Sequence, residues 1–318
     1  MSDDLRHLLN DLAAYLDQQR ALGSTFYLEG DAPDPDPAPA VAEDQAAAPV
    51  ASASPAAADV SAPVSAPAPT APPEPAARVS TPAADADRAR QDRDDAFARE
   101  CAAFVQDTLQ LIAREGGVRP AAAADGDKAA ALAALGDEVR ACAACGLHAG
   151  RRQAVPGAGN PDAGLVLIGE APGAEEDRQG LPFVGRSGQL LTDILKAIGF
   201  ARDDVFICNI LKCRPPNNRD PERDEVLACE PFLKRQLQII RPRLILCLGR
   251  IAAQTLLGTT APLGALRRSV HFYEGVPVMA TYHPAALLRN PANKRDTWDD
   301  VRRLRALHDA LGEDTDRA

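Results

Sequence analysis

The second half of the chain alternates short apolar runs with helical segments, and this pattern restricts the fold more than any other feature. Four runs have the composition of buried strands: Leu165–Ile168, Val205–Ile207, Leu244–Leu248 and Val276–Ala280. Helical segments separate them: Gly188–Ile198, Pro221–Gln238 and Ile251–Leu257. This alternation predicts an α/β fold with a mostly parallel sheet covered on both faces. Functional residues are then expected at the carboxyl ends of the strands.

The first half has a different composition, which divides the protein into four segments. Residues 1–31 have leucines at helical spacing, which predicts an amphipathic helix, either solvated or binding a partner protein. Residues 32–84 hold 13 of the 27 prolines and are predicted to be a disordered linker. Residues 85–127 are predicted to be a helical and linker segment, and residues 128–318 to be the folded domain.

Charge is unevenly distributed along the chain, and this bears on its partners. The formal net charge is -10, but residues 1–141 hold 11 Lys and Arg against 24 Asp and Glu, a balance of -13. Residues 142–318 hold 24 against 21, a balance of +3, so this half can approach a phosphate backbone. No apolar run is long enough to span a bilayer, and no signal peptide is apparent. We therefore expect a cytoplasmic protein.

Polar residues follow the first two predicted strands. A turn after Ile168 carries a carboxylate cluster with Glu170 and Glu176, suited to orienting water or stabilising a developing cation. A nucleotide site or a simple chain reversal are the alternatives. Asn209 ends the second strand and offers one donor and one acceptor, which match uracil, whereas cytosine lacks the N3 proton. A loop cap is the alternative for this Asn.

Two further loops carry residues suited to holding a base that has left the duplex. Phe183, between Pro and Gly, is a candidate stacking platform or a core residue beneath a loop. His283 follows the last strand and could donate to a carbonyl oxygen that gains negative charge. Leu288 and Arg289 form an apolar wedge followed by a cation, a pattern found in proteins that distort duplexes.

Cysteine spacing indicates a metal centre. Cys142 and Cys145 form a C-x2-C pair, and Cys213 and Cys229 lie sixteen positions apart. Four thiolates from two segments can hold an iron–sulfur cluster or a zinc ion. The wide second spacing is unlike a two-knuckle zinc ribbon. The remaining cysteines are predicted to be core residues: Cys101, Cys208 and Cys247.

Five motifs, taken together, resemble family 4 uracil-DNA glycosylases: GEAPGAEED, LPFVGRSGQLL, ICNILKCRPPNNRDP, LCLGRIAAQTLL and YHPAALLRNP. The resemblance covers roughly Leu132 to the C-terminus and is specific, because the motifs occur in the right order with all four cysteines. It implies a three-layer α/β/α sandwich with a central four-stranded, mostly parallel sheet. It also implies a [4Fe-4S] cluster, whose ligand positions are taken by Cys142, Cys145, Cys213 and Cys229.

The resemblance further implies roles for single residues in binding the base. Phe183 takes the position that stacks on uracil, and Asn209 the position that reads its Watson–Crick edge. His283 takes the position that contacts the O2 side of the base. Ala171 lies where a backbone amide faces a uracil carbonyl.

The acidic positions of the family's first motif are occupied by Glu170 and Glu176. We expect Glu176 to handle the water, with Glu170 as the second candidate. Leu288 and Arg289 are predicted to probe the duplex. Arg214 and Arg219, on the loop between Cys213 and Cys229 that we call the cysteine loop, are predicted to contact phosphates.

These observations predict a monofunctional DNA glycosylase that acts in base excision repair, releasing uracil from DNA and leaving an abasic site. A group related to this family traps the base site covalently through a histidine in a longer basic insert. No histidine lies between His148 and His271 here, so ordinary hydrolysis is expected. A non-catalytic DNA-binding module of the same fold and a zinc-bearing nucleotide hydrolase are the alternatives. We expect a monomer in a bacterial cytoplasm, associated with the nucleoid.

Overall fold

The computed structural model describes residues 82–116, 118 and 126–315. From Arg90 onward the described residues belong to one compact unit, and residues 82–89 belong to a second unit, Ala13–Ala89. The predicted helix at 1–31 and nearly all of the predicted linker at 32–84 lie outside the described residues. No helix in the described part of the chain has both the length and the apolar character needed to cross a membrane.

The elements alternate along the chain as the sequence predicted. The helices are α1 Pro82–Arg114, α2 Lys128–Ala141, α3 Ala174–Gln179, α4 Arg186–Ala197, α5 Arg223–Ile240, α6 Arg250–Leu257, α7 Leu263–Leu266, α8 Pro284–Arg289 and α9 Asn293–Thr315. The strands are β1 Ala158–Gly159, β2 Leu165–Gly169, β3 Phe206–Asn209, β4 Leu244–Leu248, β5 His271–Tyr273 and β6 Val276–Thr281. Single 3-10 turns span Gly146–Ala149, Arg202–Asp204 and Pro216–Asn218.

The described strands form one sheet in the order β1-β3-β2-β4-β6-β5. The four inner strands are parallel, which confirms the predicted parallel core. The sheet has six strands rather than four, because β1 and β5 add antiparallel edges. These edges contain only two and three residues, too few to show a strand period in the sequence.

Successive residues of the inner strands pack on opposite faces of the sheet, and this creates the three layers. Leu165 and Leu167 lie in a core with α4 and α9, whereas Val166 and Ile168 lie in a second core with α5 and α6. Strands buried on both faces need continuous apolar sequence, which explains the runs that the sequence shows.

From Arg90 onward, helix α1 packs on the core that contains α4 and α9, although it precedes the predicted domain. Ile112 is 5% exposed within the α4 and α9 core, and Phe104 packs against that core. Phe97 lies under the Arg302 guanidinium of α9, with 4.0 Å between the guanidinium carbon and the ring centroid. Residues 90–114 therefore share a core with the sheet, while the division at residue 128 stays a prediction.

A matched pair of substitutions in α1 tests this packing. Ile112→Ala should lower the free energy of unfolding by about 2–5 kcal/mol, because a buried Ile leaves a cavity. Leu111→Ala, at a neighbouring position that is 37% exposed, should change it by no more than about 0.5 kcal/mol. Urea unfolding of both variants measures the difference. Equally small effects would show that α1 does not belong to the core.

Candidate active site

The carboxyl ends of the parallel strands meet at one edge of the sheet and carry the predicted site residues. Gly169, the last residue of β2, pairs with Asn209, the last residue of β3. Thr281 ends β6 opposite Leu248 of β4, and His283 follows two positions later. Parallel pairing therefore brings residues that are far apart in the sequence to the same edge.

Asn209, Phe183 and His283 converge at this edge. A Cβ at Gly169 would lie 2.3 Å from Oδ1 of Asn209 and 2.7 Å from Cζ of Phe183, so both groups face the bare backbone at the end of β2. The ring centroids of Phe183 and His283 are 5.4 Å apart, with the planes tilted by 31°. We call these four residues, Gly169, Phe183, Asn209 and His283, the strand-end site.

The Asn209 side chain supplies a buried acceptor to the strand-end site. The residue is 1% exposed, and its Oδ1 has no hydrogen-bond partner within the described part of the protein. Leaving a buried acceptor unpaired costs about 1–3 kcal/mol, and such groups often mark a binding site. A ligand with an N–H at this point would remove that cost.

His283 is held as a neutral donor. Its Nδ1 accepts a hydrogen bond from the backbone N–H of Ala285 at 3.1 Å, so the ring proton belongs on Nε2. Burial and, second, the positive charge of Arg289 together lower the pKa of His283 from 6.5 to about 4, whereas Glu176 acts in the opposite direction. At neutral pH the ring therefore offers an N–H without a positive charge.

The strand that precedes His283 is anchored by a buried ion pair. The hydroxyl of Thr281 donates to Asp300 Oδ2 at 2.7 Å, and Arg267 donates to both carboxylate oxygens of Asp300 at 2.6 and 3.1 Å. Asp300 and Thr281 are each 1% exposed. This network fixes the end of β6 and with it the starting point of the His283 loop.

Phe183 has an unusual backbone conformation. Its φ is +51°, a left-handed value that costs a residue with a bulky side chain. A Cβ at Gly188 would lie 1.9 Å from the carbonyl oxygen of Phe183, so only glycine allows the loop to lie this close to α4. The strained loop needs an external support.

Glu176 supplies that support. Its Oε1 accepts from the backbone N–H groups of Val184 at 2.9 Å and Gly185 at 3.0 Å, and the residue is 7% exposed. A Cβ at Gly173 would lie 2.7 Å from its other oxygen, so a larger residue there would displace the carboxylate. The carboxylate of α3 thus clamps the loop that carries Phe183.

Glu170 lies directly after the strand-end glycine and differs from Glu176. Within the described residues its carboxylate forms no hydrogen bond, while its carbonyl accepts from Leu211 N at 3.0 Å. Burial and the nearby charge of Asp220 raise its pKa, whereas Arg250 and Arg289 lower it. Glu170 is therefore a partly buried carboxylate among charges, free to hold a water.

The predicted DNA contacts lie on the surface around this edge. Leu288, 41% exposed, and Arg289 end α8 just beyond His283. Arg214 donates from Nε to Asn218 Oδ1 at 2.8 Å. Arg219 pairs with Glu225 through two hydrogen bonds of 2.6 and 2.9 Å, so a phosphate would have to share its guanidinium.

The four predicted ligand cysteines are brought together beside the strand-end site. Cys142 caps the C-terminus of α2, Cys145 caps the N-terminus of the first 3-10 turn, Cys213 follows β3 and Cys229 lies in α5. All four line one hollow, together with Arg151 and Lys212. Ala171, in the turn after β2, packs against the part of this cluster that includes Cys213 and Cys229.

N–H groups point at three of these sulfurs. Arg151 Nη1 donates to Cys213 Sγ at 3.1 Å, Lys212 N to Cys229 Sγ at 3.3 Å, and Ala144 N to Cys142 Sγ at 3.4 Å. Burial raises the pKa of Cys213, and it raises that of Cys229 to about 11. Without a metal the thiols of Cys213 and Cys229 therefore keep their protons, and the N–H donors suit the thiolates that metal binding would create.

Sequence reasoning missed two residues that connect these sites. Lys212 is 1% exposed, and its Nζ donates to the carbonyl oxygen of Asn209 at 2.7 Å and to Gln236 Oε1 at 2.6 Å. Gln236 Nε2 in turn donates to the carbonyl of Pro156 at 2.6 Å. The only signal in the sequence was a lysine between an apolar run and Cys213.

Comparison with known proteins agrees with this arrangement. Residues 156–303 match the sequence profile of the Uracil DNA glycosylase superfamily. A type-4 uracil-DNA glycosylase of Archaeoglobus fulgidus is 45% identical over 171 residues, 51% of this chain and 86% of that protein. One from Pyrobaculum aerophilum is 48% identical over 167 residues, 49% of this chain and 84% of that protein. A type-5 enzyme of the same organism is 35% identical over 153 residues, 42% of this chain and 66% of that protein.

The lowered pKa of His283 makes a testable contribution to stability. His283 takes up a proton near pH 6.5 in the unfolded chain but only near pH 4 in the folded chain. The free energy of unfolding therefore falls as the pH is lowered from 6.5 to 4. The Tm of the wild type should therefore fall between pH 7 and pH 5 by more than that of His283→Asn. Calorimetry at both pH values measures this, and equal falls would show that the ring is not held neutral.

Proposed function

The chain belongs to the type-4 uracil-DNA glycosylases, and from that premise we propose that it hydrolyses the N-glycosidic bond of deoxyuridine in DNA. The products are free uracil and an abasic site, the first step of base excision repair. The observation that carries the proposal is the unpaired Oδ1 of Asn209, buried beside the rings of Phe183 and His283.

Recognition of the base follows from what the strand-end site offers. A uracil rotated out of the duplex stacks on Phe183, while Asn209 Oδ1 accepts from N3–H and the amide N–H donates to O4. Cytosine has no N3 proton, so it would leave the buried acceptor unpaired at a cost of about 1–3 kcal/mol. Thymine would bring its methyl group against the Phe183 ring.

Cleavage requires stabilisation of charge on the departing base. As the C–N bond lengthens, uracil becomes an anion and the sugar becomes cationic. The neutral His283 donates from Nε2 to the O2 side, and the Ala171 amide faces a carbonyl. Donors placed at such a position are worth about 3–4 kcal/mol each in well-studied sites.

The carboxylates of Glu170 and Glu176 have different roles, one in orienting the water and one in supporting the Phe183 loop. Both Glu170 and Glu176 were candidates for orienting the water, with Glu176 first. Because Glu176 Oε1 already binds two amides of the Phe183 loop, we assign it the support of that loop. Glu170 makes no side-chain hydrogen bond within the described residues and is better suited to the water and the cationic sugar.

DNA binding is assigned to the surface around the site. Leu288 enters the duplex beside the rotated base, and Arg289 meets the backbone. Arg214 and Arg219 contact phosphates from the cysteine loop, Arg219 while paired with Glu225. The cytoplasmic, nucleoid-associated location, the monomeric state and a partner for the helix predicted at residues 1–31 also stay predictions.

We infer that the four cysteines hold a [4Fe-4S] cluster rather than a zinc ion. All four line one hollow, and the sixteen-position spacing of Cys213 and Cys229 is unlike a two-knuckle zinc ribbon. When bound, the cluster supplies a rigid link between α2, the loop after β3 and α5.

Asn209→Asp tests the reading of the base. The carboxylate has no N–H for O4, and its charge opposes the uracil anion, so excision should fall roughly 10²- to 10³-fold. Uracil and thymine oligonucleotides, incubated with the protein and then treated with alkali, measure excision as strand breakage. Asn160→Asp is the control, since Asn160 precedes β2 at the opposite edge of the sheet.

Two outcomes of this assay would contradict the proposal. Undiminished breakage with Asn209→Asp would remove Asn209 from the site. DNA binding by the wild type without any breakage at uracil would identify the non-catalytic DNA-binding module.

The metal content of purified protein tests the cofactor. We expect a brown protein with about four irons and four sulfides per chain. Cys229→Ala should lose most of this iron, whereas Cys101→Ala, in α1 away from the hollow, should keep it. Zinc without sulfide in the wild type would contradict the cluster and favour the zinc-bearing alternative.

A further inference from the structure

Lys212 is a charged side chain in a place where charge is costly. It is 1% exposed, between the end of β3 and the cluster ligand Cys213. Its Nζ donates to two uncharged oxygens, the Asn209 carbonyl and Gln236 Oε1, and no carboxylate of the described residues pairs with it. A buried cation without a nearby negative charge is destabilising. A compensating charge must therefore come from elsewhere.

The hollow lined by the four cysteines would supply negative charge beside Lys212 once a cluster is bound. Lys212 lines this hollow with all four cysteines, and its backbone N–H donates to Cys229 Sγ at 3.3 Å. A four-iron cluster held by four thiolates carries a net negative charge, and nearby charge is one of the factors that set its reduction potential. The buried ammonium and the cluster would thus neutralise each other's charge.

The other end of the same side chain leads to the base. The carbonyl that Lys212 holds at 2.7 Å belongs to Asn209, the residue whose amide faces the strand-end site. Gln236 completes the support, because it lies seven positions after Cys229 on the same face of α5 and also binds the carbonyl of Pro156. Lys212 therefore contacts both α5, which carries Cys229, and the end of β3, which carries Asn209.

We propose that Lys212 is a positioning residue that couples the cluster site to the uracil-reading amide. Its charge is balanced by the cluster, and its ammonium fixes the backbone of Asn209. This inference rests on the proposed function and on the cluster. The metal centre would then affect uracil excision, because loss of the cluster would leave Lys212 without its counter-charge.

The test compares Lys212→Met with the wild type as full-length, cluster-loaded protein. Iron and sulfide content, the cluster's reduction potential by voltammetry and single-turnover excision at saturating protein are measured for each. With the cation gone, the potential should become more negative. Excision should slow by about 10- to 100-fold, the usual range for residues that support a metal site. Affinity for undamaged duplex should not change.

Lys234→Met is the matched control. Lys234 lies on α5 two residues before Gln236, but it is exposed to solvent and pairs with Glu230 at 3.0 Å. The same chemical change there should leave the iron content, the potential and the excision rate as in the wild type.

Each remaining result decides the proposal. Slower excision with an unchanged potential would make Lys212 a backbone support only and would overturn the coupling, as would wild-type values for both. If Lys212→Met yields no loaded protein, Lys212→Arg should restore the cluster through its charge, and failure to do so would also overturn the proposal. A wild type that bears the cluster but releases no uracil would instead refute the proposed function, and the potential would still test the charge balance.

Discussion

The register of the four parallel strands is the constraint on which the rest of the structure depends. Gly169 lies opposite Asn209, and Leu248 opposite Thr281, because residues 165–168 alternate between two cores. A register shift of one residue would turn every side chain of a strand to the opposite face of the sheet, so that each would face the helices of the wrong core. The position of the Asn209 amide is therefore held by core packing along the entire strand.

Two buried carboxylates transmit this order to the loops. Glu176 binds the amides beside Phe183, and Asp300 binds Thr281 before His283, so each ring is placed by hydrogen bonds to its own loop or strand. Supports of this kind keep a site organised before a ligand arrives, which is how electrostatic stabilisation becomes effective. This framework also holds the Asn209 Oδ1 buried without a hydrogen-bond partner, an arrangement that costs free energy until a ligand donates to it.

Much of this framework could be predicted from residue patterns, and the exceptions have physical causes. The strand β4 has the predicted bounds, and the other inner strands differ by one or two residues. An acidic motif predicts a chemical role for Glu176, but which role a carboxylate has also depends on the amides near it, and here two amides of the Phe183 loop bind Glu176 Oε1. The burial of Lys212 could not be predicted, since a lysine usually lies at the protein surface.

The sequence by itself determined the layered α/β architecture, the strand ends as the place of the site, and the residue types gathered there, including four cysteines in two segments. These follow from hydrophobic period and side-chain chemistry, which are local properties. Only the tertiary structure decided which nitrogen of His283 carries the proton, which oxygen of Asn209 is left without a partner, and that Lys212 is buried between two sites. Burial and hydrogen-bond partners depend on residues distant in sequence, and no local pattern specifies them.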